Sequence, residues 1–418
     1  MTRTQLQVAI ALFWLFPLFA IGEVTMPHES SHIDVLNVNP SLQLHDVLEK
    51  TVARSPMQAM MQSREYGVNA KNIVAKSMLP SSPAISLGHQ NDMLGSGRGE
   101  REWQADLEVP IWLPNQRNNR LKVVDATKSN LSAGRESLRL QVAGQLRDAL
   151  WDIAMNESNY ALAVNKHGLA SKLQHDVERR YKAGEMAKTD AMLAEQETLR
   201  AEKEKLRAEA EVMHARNRYI LLTGLREIPA SYEETQSALE DYRQSSIWAE
   251  AESKVGLAET ERNLAQIEGR ENLQVLLNMR STKGAFDDMS NQSVGVKVRI
   301  PFGGETRAAP IKAAAELGVG NALTERETLR NAMDIMMHEA EHNLNVSRAE
   351  LVIVTKQYEI AKESATLAQK AFQLGETDLV SLMRVQAQAY EAERAFTSRK
   401  IQVQWDIARY NQAVGVLP

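Results

Sequence analysis

The sequence contains no cysteine. That excludes disulfides, thiolate metal sites, a cysteine nucleophile and a lipid anchor carried on an N-terminal cysteine. Positive charge is not in excess: 49 Lys and Arg stand against 54 Asp and Glu, for a net charge of −5. No basic block or aromatic–basic stripe occurs, which argues against a nucleic-acid partner. Beyond the first two dozen residues no run of about 18 apolar residues is found, so the mature chain has no membrane-spanning helix. No Gly-rich phosphate loop follows a strand, and no G-x-S-x-G elbow is present. Proline is missing from Asn115 to Ile228 and again from Ile311 to Leu417. What remains is an ordinary balance of 43% hydrophobic and 25% charged residues, which excludes a disordered chain.

The N-terminus reads as a secretory signal. Arg3 supplies the positive start, Val8 to Ile21 is apolar apart from Pro17, and Ala20-Ile21-Gly22 carries small residues where a signal peptidase needs them. Cleavage is expected after about Gly22, leaving residues 1–22 as the signal and 23–42 as an N-terminal tail. A retained anchor helix is the alternative, disfavoured by the length of the run. His28 and His32 have metal-like spacing but no acidic or cysteine companions, and are expected in a flexible tail.

Repeats reorganise the rest of the chain. Pro110 and Pro301, Gly184 and Gly375, and Gly224 and Gly415 are each separated by the same offset (375 − 184 = 191). Arg135-Glu136-Ser137-Leu138-Arg139 matches Arg326-Glu327-Thr328-Leu329-Arg330 at that offset. We read a tandem duplication, residues 43–224 and 234–415, joined by a linker at 225–233 and followed by a short end at 416–418. Each copy opens with a helix, 42–79 (nicked at Ser55-Pro56) or 238–268. Two short alternating runs follow, and then a long proline-free helical stretch. Gly184 and Gly375, each after an aromatic-led turn, divide these stretches into two hairpins of antiparallel helices. The first arm, of about 65 residues at 1.5 Å each, is a rod of roughly 100 Å. Such a rod suits coiled-coil packing, and a soluble coiled-coil spacer is the plainest reading of the helices alone.

The alternating runs argue otherwise. Trp103, Ala105, Leu107, Val109 and Ile111 alternate with polar residues and Pro110, and Val294, Val296, Val298, Ile300 and Phe302 do the same. The runs before them alternate less cleanly. Four strands are expected at about 83–92, 103–112, 273–280 and 293–302, each of a length that crosses a bilayer at a tilt. Trp103 and Trp112 bracket one strand as girdle residues at the two interfaces of the membrane. Lipid forbids free strand edges, so the sheet must close into a barrel. Bacterial barrels have about eight strands or more, so a chain with four must borrow the remainder from further copies. Two copies make a barrel filled by side chains, whereas three leave a lumen. Asp106, Glu108, Lys297 and Arg299 are then expected to face that lumen, with a solvated sheet face as the alternative.

These features resemble the TolC-type outer-membrane efflux protein family over nearly the whole mature sequence. The carriers are the duplicated plan, Val52-Ala53-Arg54-Ser55-Pro56, the strand ends Val109-Pro110-Ile111 and Ile300-Pro301-Phe302, and the Tyr181-x-x-Gly184 break followed by Asp190 and Leu193. The segment Trp112-Leu113-Pro114-Asn115-Gln116-Arg117 and the lack of a lipid cysteine are most similar to the outer-membrane components of heavy-metal cation efflux systems. The resemblance implies a mainly α fold with a small antiparallel β part. Duplicated coiled-coil hairpins and four transmembrane strands per chain would close, as a homotrimer, into a 12-stranded barrel in outer-membrane lipid and a helical tunnel in the periplasm. It also implies partners, a periplasmic adaptor protein and an inner-membrane pump of RND type. Docking falls at the hairpin tips, Tyr181, Gly184, Phe372 and Gly375, and gating at Asp190 and Asp378. The second copy departs from the pattern, with Ser381 at the place of Asp190 and Arg384 at that of Leu193. A passive conduit follows, with no catalytic residue and no cofactor; drug efflux and type I protein secretion are the alternatives to metal export.

One motif stands outside this reading. His338-Glu339-Ala340-Glu341-His342 fits H-E-x-x-H, in which two His one helical turn apart bind zinc and Glu acts as base. It lies within a long predicted helix, without a third ligand or a cleft, so a protease is not expected. Incidental metal binding at His338 and His342 is the most the sequence supports.

Overall fold

The computed structural model describes residues 35–418, so the expected signal segment, His28 and His32 lie outside the described residues. The elements run β1 (Asn37–Asn39), α1 (Leu44–Arg54), α2 (Met57–Lys76), β2 (Ala84–Asn91), β3 (Arg101–Ile111), α3 (Gln116–Lys182), α4 (Lys188–Thr223), β4 (Glu227–Pro229), α5 (Ser246–Glu268), β5 (Leu273–Lys283), β6 (Asn291–Arg299), α6 (Glu305–Gln373) and α7 (Leu379–Val414). Among the described residues no helix is long and apolar enough to cross a membrane.

Proline-free sequence rich in Ala, Leu, Glu, Lys and Arg sustains α3 for 67 residues, about 100 Å at 1.5 Å each. It stops where Gly184 adopts a left-handed φ of +82° and the N–H of Glu185 reaches back to the Arg180 carbonyl at 2.9 Å. Gly375, at φ +77°, ends α6 in the same way, with Glu376 bonded to Ala371. Gly224 and Gly415 are left-handed stops after α4 and α7. Both boundaries of α4 recur in α7 at the same 191-residue offset (379 − 188 and 414 − 223).

Several expected boundaries are corrected. The supposed tail contributes β1, which pairs in parallel with β4 inside the supposed linker, Val38 opposite Ile228. The helix expected from 238 begins only at Ser246, after a single 3-10 turn at Tyr242–Gln244, and α7 bonds to the stretch before that turn. The Asn411 side chain accepts from Ser237 N at 2.8 Å, and the Tyr410 hydroxyl donates to Leu239 O at 3.0 Å. The last long helix starts at Glu305 and absorbs Pro310 in its second turn. Strand β5 runs on to Lys283 and β6 ends at Arg299, before Ile300 and Phe302.

The helices form one layer. Helix α3 packs against α4 on one side and α7 on the other, and α6 packs on the far side of α7. Nearer the sheet the order is α2, α3, α5, α6. The sheet repeats that order as β2-β3-β5-β6, antiparallel throughout. The layer therefore has two free sides: one carries β2, α2 and α4, the other β6 and α6. Its largest core lies at mid-height, where Val47 and Leu48 of α1 meet Leu138, Val142 and Leu146 of α3 and Tyr219 of α4.

At the same height the two repeats are tied by Arg147 of α3. Its guanidinium donates to both Glu234 oxygens at 2.8 and 2.7 Å, to Gln412 at 2.6 Å and to the Val416 carbonyl at 2.9 Å. Gly415 lies beside this knot, and a Cβ there would stand 2.2 Å from the Ser245 Cβ. Ser245 caps α5 through a 3.3 Å bond from Trp248 N. Gly415→Ala should therefore lower stability by about 2–3 kcal/mol, from left-handed strain and a clash together. Gly184→Ala has the strain but open space around it, and should lose only about 1–2 kcal/mol in the same thermal melt. Equal losses would remove the clash from the account.

Candidate functional site

Two regions carry functional chemistry, the sheet and the paired hairpin tips. Strand register puts Ile85, Leu107, Leu277 and Val296 in one cross-strand row, with Leu87, Ala105, Met279 and Val294 in the next. Trp103 is on this apolar face, stacked at 4.2 Å on His89 of β2. Most of these side chains are exposed in the single chain, an uncommon state for a large apolar surface.

The opposite face is polar. Asp106 accepts from Asn278 at 2.6 Å, Gln104 at 2.7 Å and Ser86 at 3.4 Å. Glu108 and Lys297 flank Leu276 in one row, and Arg299 lies opposite Gln274. All four residues expected on the water side thus share one face. Asn278, Glu102 and Arg280, the last two an ion pair, join them. The sequence reading missed Asn278 and Arg280 because Leu276 breaks the alternation of β5, and Glu102 because the strand was expected to begin only at Trp103. Trp112 stands one residue beyond β3, and its indole donates to the Met78 carbonyl at 3.1 Å beneath the Arg120 guanidinium. That bond ties the strand end to the C-terminal end of α2.

At the far end of the helices the two tips share a small core of Leu173, Val177, Ala194, Phe372, Leu379 and Leu382. Phe372 is only 3% exposed and lies under Arg180 of the other hairpin, 5.1 Å away. It is therefore corrected from a docking contact to a residue that holds the tips together. Tyr181, Gly184 and Gly375 remain on the surface. Asp190 and Asp378 cap their helices. The Asp190 carboxylate accepts from Ala187 N at 3.3 Å, and Asp378 from Ser381 N at 2.6 Å. The Ser381 amide holds the Asp378 carboxyl below the usual carboxylate range. At these N-termini each acid offsets unpaired N–H groups of its own helix.

Between the tips and mid-height the hairpins are joined by a link the sequence did not reveal. Tyr390 of α7 donates to Glu204 of α4 at 2.8 Å, and Lys166 of α3 reaches the same carboxylate at 2.6 Å. The Lys166 ammonium also lies 4.4 Å from the centre of the Tyr390 ring. Burial raises the Glu204 carboxyl, but the bonds from Lys166 and Tyr390 outweigh it and hold the group below its ordinary value. Burial, and then the Glu204 contact, push the Tyr390 hydroxyl up. No local signal marks these residues, which come from three helices.

His338 and His342 stand on the exposed side of α6, rings side by side with centroids 6.2 Å apart and planes within 9°. Among the described residues no group of three His, Cys, Asp or Glu side chains is placed to hold a metal ion. The motif therefore lacks the third ligand a zinc protease needs.

No family model matches the sequence, and no curated protein is similar to it. Solved structures are. The outer membrane protein VceC from Vibrio cholerae aligns with a TM-score of 0.71 at 14% identity, over 90% of this chain and 96% of that one. The outer-membrane channel OprN gives 0.72 at 16% identity, over 89% of each chain. CusC gives 0.72 at 12% identity, over 90% of this chain and 92% of its own. The fold is that of the TolC-type outer-membrane efflux channels. In this channel fold the two-faced sheet and the paired hairpins are the two ends of one long layer.

Proposed function

We propose that the protein is the outer-membrane exit duct of a tripartite efflux pump, a passive channel without chemistry of its own. The observation that carries this is the four-stranded sheet, with an exposed apolar face, a polar face opposite and two free edges. Such a sheet is viable in lipid only when its edges are paired. The edges lie on opposite sides of the layer, so copies must join head to tail, β6 and α6 of one against β2, α2 and α4 of the next. Three copies close twelve strands around a lumen. The periplasmic adaptor and inner-membrane pump then engage the tips at Tyr181, Gly184 and Gly375.

The internal repeat supplies the register of that joint. Within the chain, α3 meets α7; shifting both by one repeat turns this pair into α6 against α4 of the neighbouring copy. Both free sides carry matching apolar seams: Val346, Ile353, Ile360 and Leu367 on α6, and Met192, Leu199, Leu206 and Met213 on α4, each exposed and seven residues apart. Gly144 touches Gln412 in the chain, and one repeat away these places are Ile335 and Leu221, 59% and 66% exposed. The absence of native cysteine makes the test clean. Ile335→Cys with Leu221→Cys should give, on oxidation, reducible bands up to three copies and no further. A product that stays monomeric overturns the ring.

Opening is a separation of the hairpins, which breaks the Glu204 link. In planar bilayers, Glu204→Gln combined with Tyr390→Phe should raise conductance above that of the wild type. The depressed carboxyl makes the link fully present above the ordinary value of 4.5 and lost as pH falls through the lower folded value. Wild-type conductance should therefore rise on acidification below about 4.5, while the double variant stays flat. Identical pH profiles would remove the link from gating.

For the cargo we propose heavy-metal cations, supported by the 112–117 segment and the lack of a lipid cysteine. A deletion strain should be sensitised to zinc, cobalt, cadmium or copper; sensitisation to drugs alone would favour a drug duct.

A further inference from the structure

Arg147 and His338 occupy equivalent places in the two repeats, and so do Trp151 and His342 (338 − 147 and 342 − 151 are both 191). Their surroundings differ. Arg147 and Trp151 are buried, the first in its bonds to Glu234, Gln412 and Val416, the second edge-on to Tyr232 at 5.0 Å. His338 and His342 are open to solvent on the free side of α6. Moved back by one repeat, the groups that cover Arg147 become Gln43, Leu221 and Leu225. In the ring these belong to the next copy and would lie over the histidine pair. The carboxylate that satisfies Arg147 is thus replaced by a neutral amide, the cation by the His338 imidazole and the Trp151 indole by that of His342.

We propose that His338 and His342 chelate one divalent transition-metal ion per chain, at the boundary between copies. One turn apart on one helix, two imidazole nitrogens can meet a single ion at bonds of about 2.0–2.1 Å. The near-parallel rings need only side-chain rotation to do so. Imidazole selects zinc, copper and nickel over calcium or magnesium, which take oxygen. No carboxylate is expected among the covering groups, so water or the Gln43 amide oxygen of the neighbouring copy completes the shell. The ion then braces the end of the α6–α4 seam nearest the sheet. Only this location at the boundary rests on the channel reading; chelation by the pair needs only a folded α6.

The test is equilibrium dialysis of the purified mature chain in detergent against zinc, nickel and copper salts. One ion per chain should bind at this pair, copper most tightly. His338→Ala and His342→Ala should each weaken that binding by about tenfold or more, through the lost metal–nitrogen bond. Replacing His28 and His32 with alanine should leave the ion in place. In the wild type alone, zinc should also raise the temperature at which the ring dissociates. A wild type that binds no ion, or alanine variants that bind as well as it does, overturns the site. Binding that depends on the pair but leaves dissociation unchanged overturns its place at the boundary. Failure of the ring itself is read separately, from the cross-link between Leu221→Cys and Ile335→Cys.

Discussion

Val296→Arg should abolish assembly in the outer membrane while leaving the helical layer folded. Val296 is 70% exposed in the single chain, opposite Leu277 and midway along β6. In water, an arginine there would cost almost nothing. At the middle of a bilayer it costs about 2–4 kcal/mol per site, and a closed ring carries the cost once per copy. The neighbouring residue is the control. Lys297→Asp changes the polar face, where no lipid is expected, and should insert normally. The measurement is the fraction of protein in outer-membrane extracts and, in the Leu221→Cys, Ile335→Cys background, the yield of cross-linked product. If Val296→Arg inserts and cross-links as well as Lys297→Asp, the apolar face does not meet lipid.

Arg147→Ala should be the most destabilising single change away from the sheet. The side chain is 2% exposed and its partner Glu234 is 11% exposed. Truncation leaves that carboxylate buried with only Asn411 beside it, 3.0 Å away. Breaking a buried pair in this way costs about 3–5 kcal/mol, far more than the pair itself contributes. Adding Glu234→Gln should recover a large part of the loss, because the stranded charge is gone. Denaturant melts of the three proteins separate these terms. A loss under about 1 kcal/mol for Arg147→Ala would mean that water reaches the knot.

The elements were legible because their signals are local. Alternation at period two marked β3 and β6, with weaker alternation in the runs before them, and two proline-free stretches broken once at Gly184 and Gly375 marked the hairpins. Where the reading failed, the deciding partner was distant in sequence. The segment before α5 has helical composition, yet Asn411 and Tyr410 of α7 bond to its backbone at Ser237 and Leu239, and only a 3-10 turn at Tyr242–Gln244 forms before Ser246. Phe372 and Tyr181 are the same kind of aromatic before the same kind of glycine, but one lies inside the joined tips and the other outside. Trp112 continues the strand in sequence and leaves it in space, drawn to the Met78 carbonyl. Lys166, Glu204 and Tyr390 carry no motif, since their meeting depends on the packing of three helices.

By itself the sequence determined the repeat, the two-faced strands and the long paired helices, since backbone preference and side-chain periodicity act over a few residues. Only the tertiary structure decided which of two equivalent places is buried. Arg147 and His338 share a position in the repeat, but one meets the second half of its own chain and the other faces solvent. Burial depends on what lies opposite, and the chain has an internal neighbour for one of its repeat faces and none for the other.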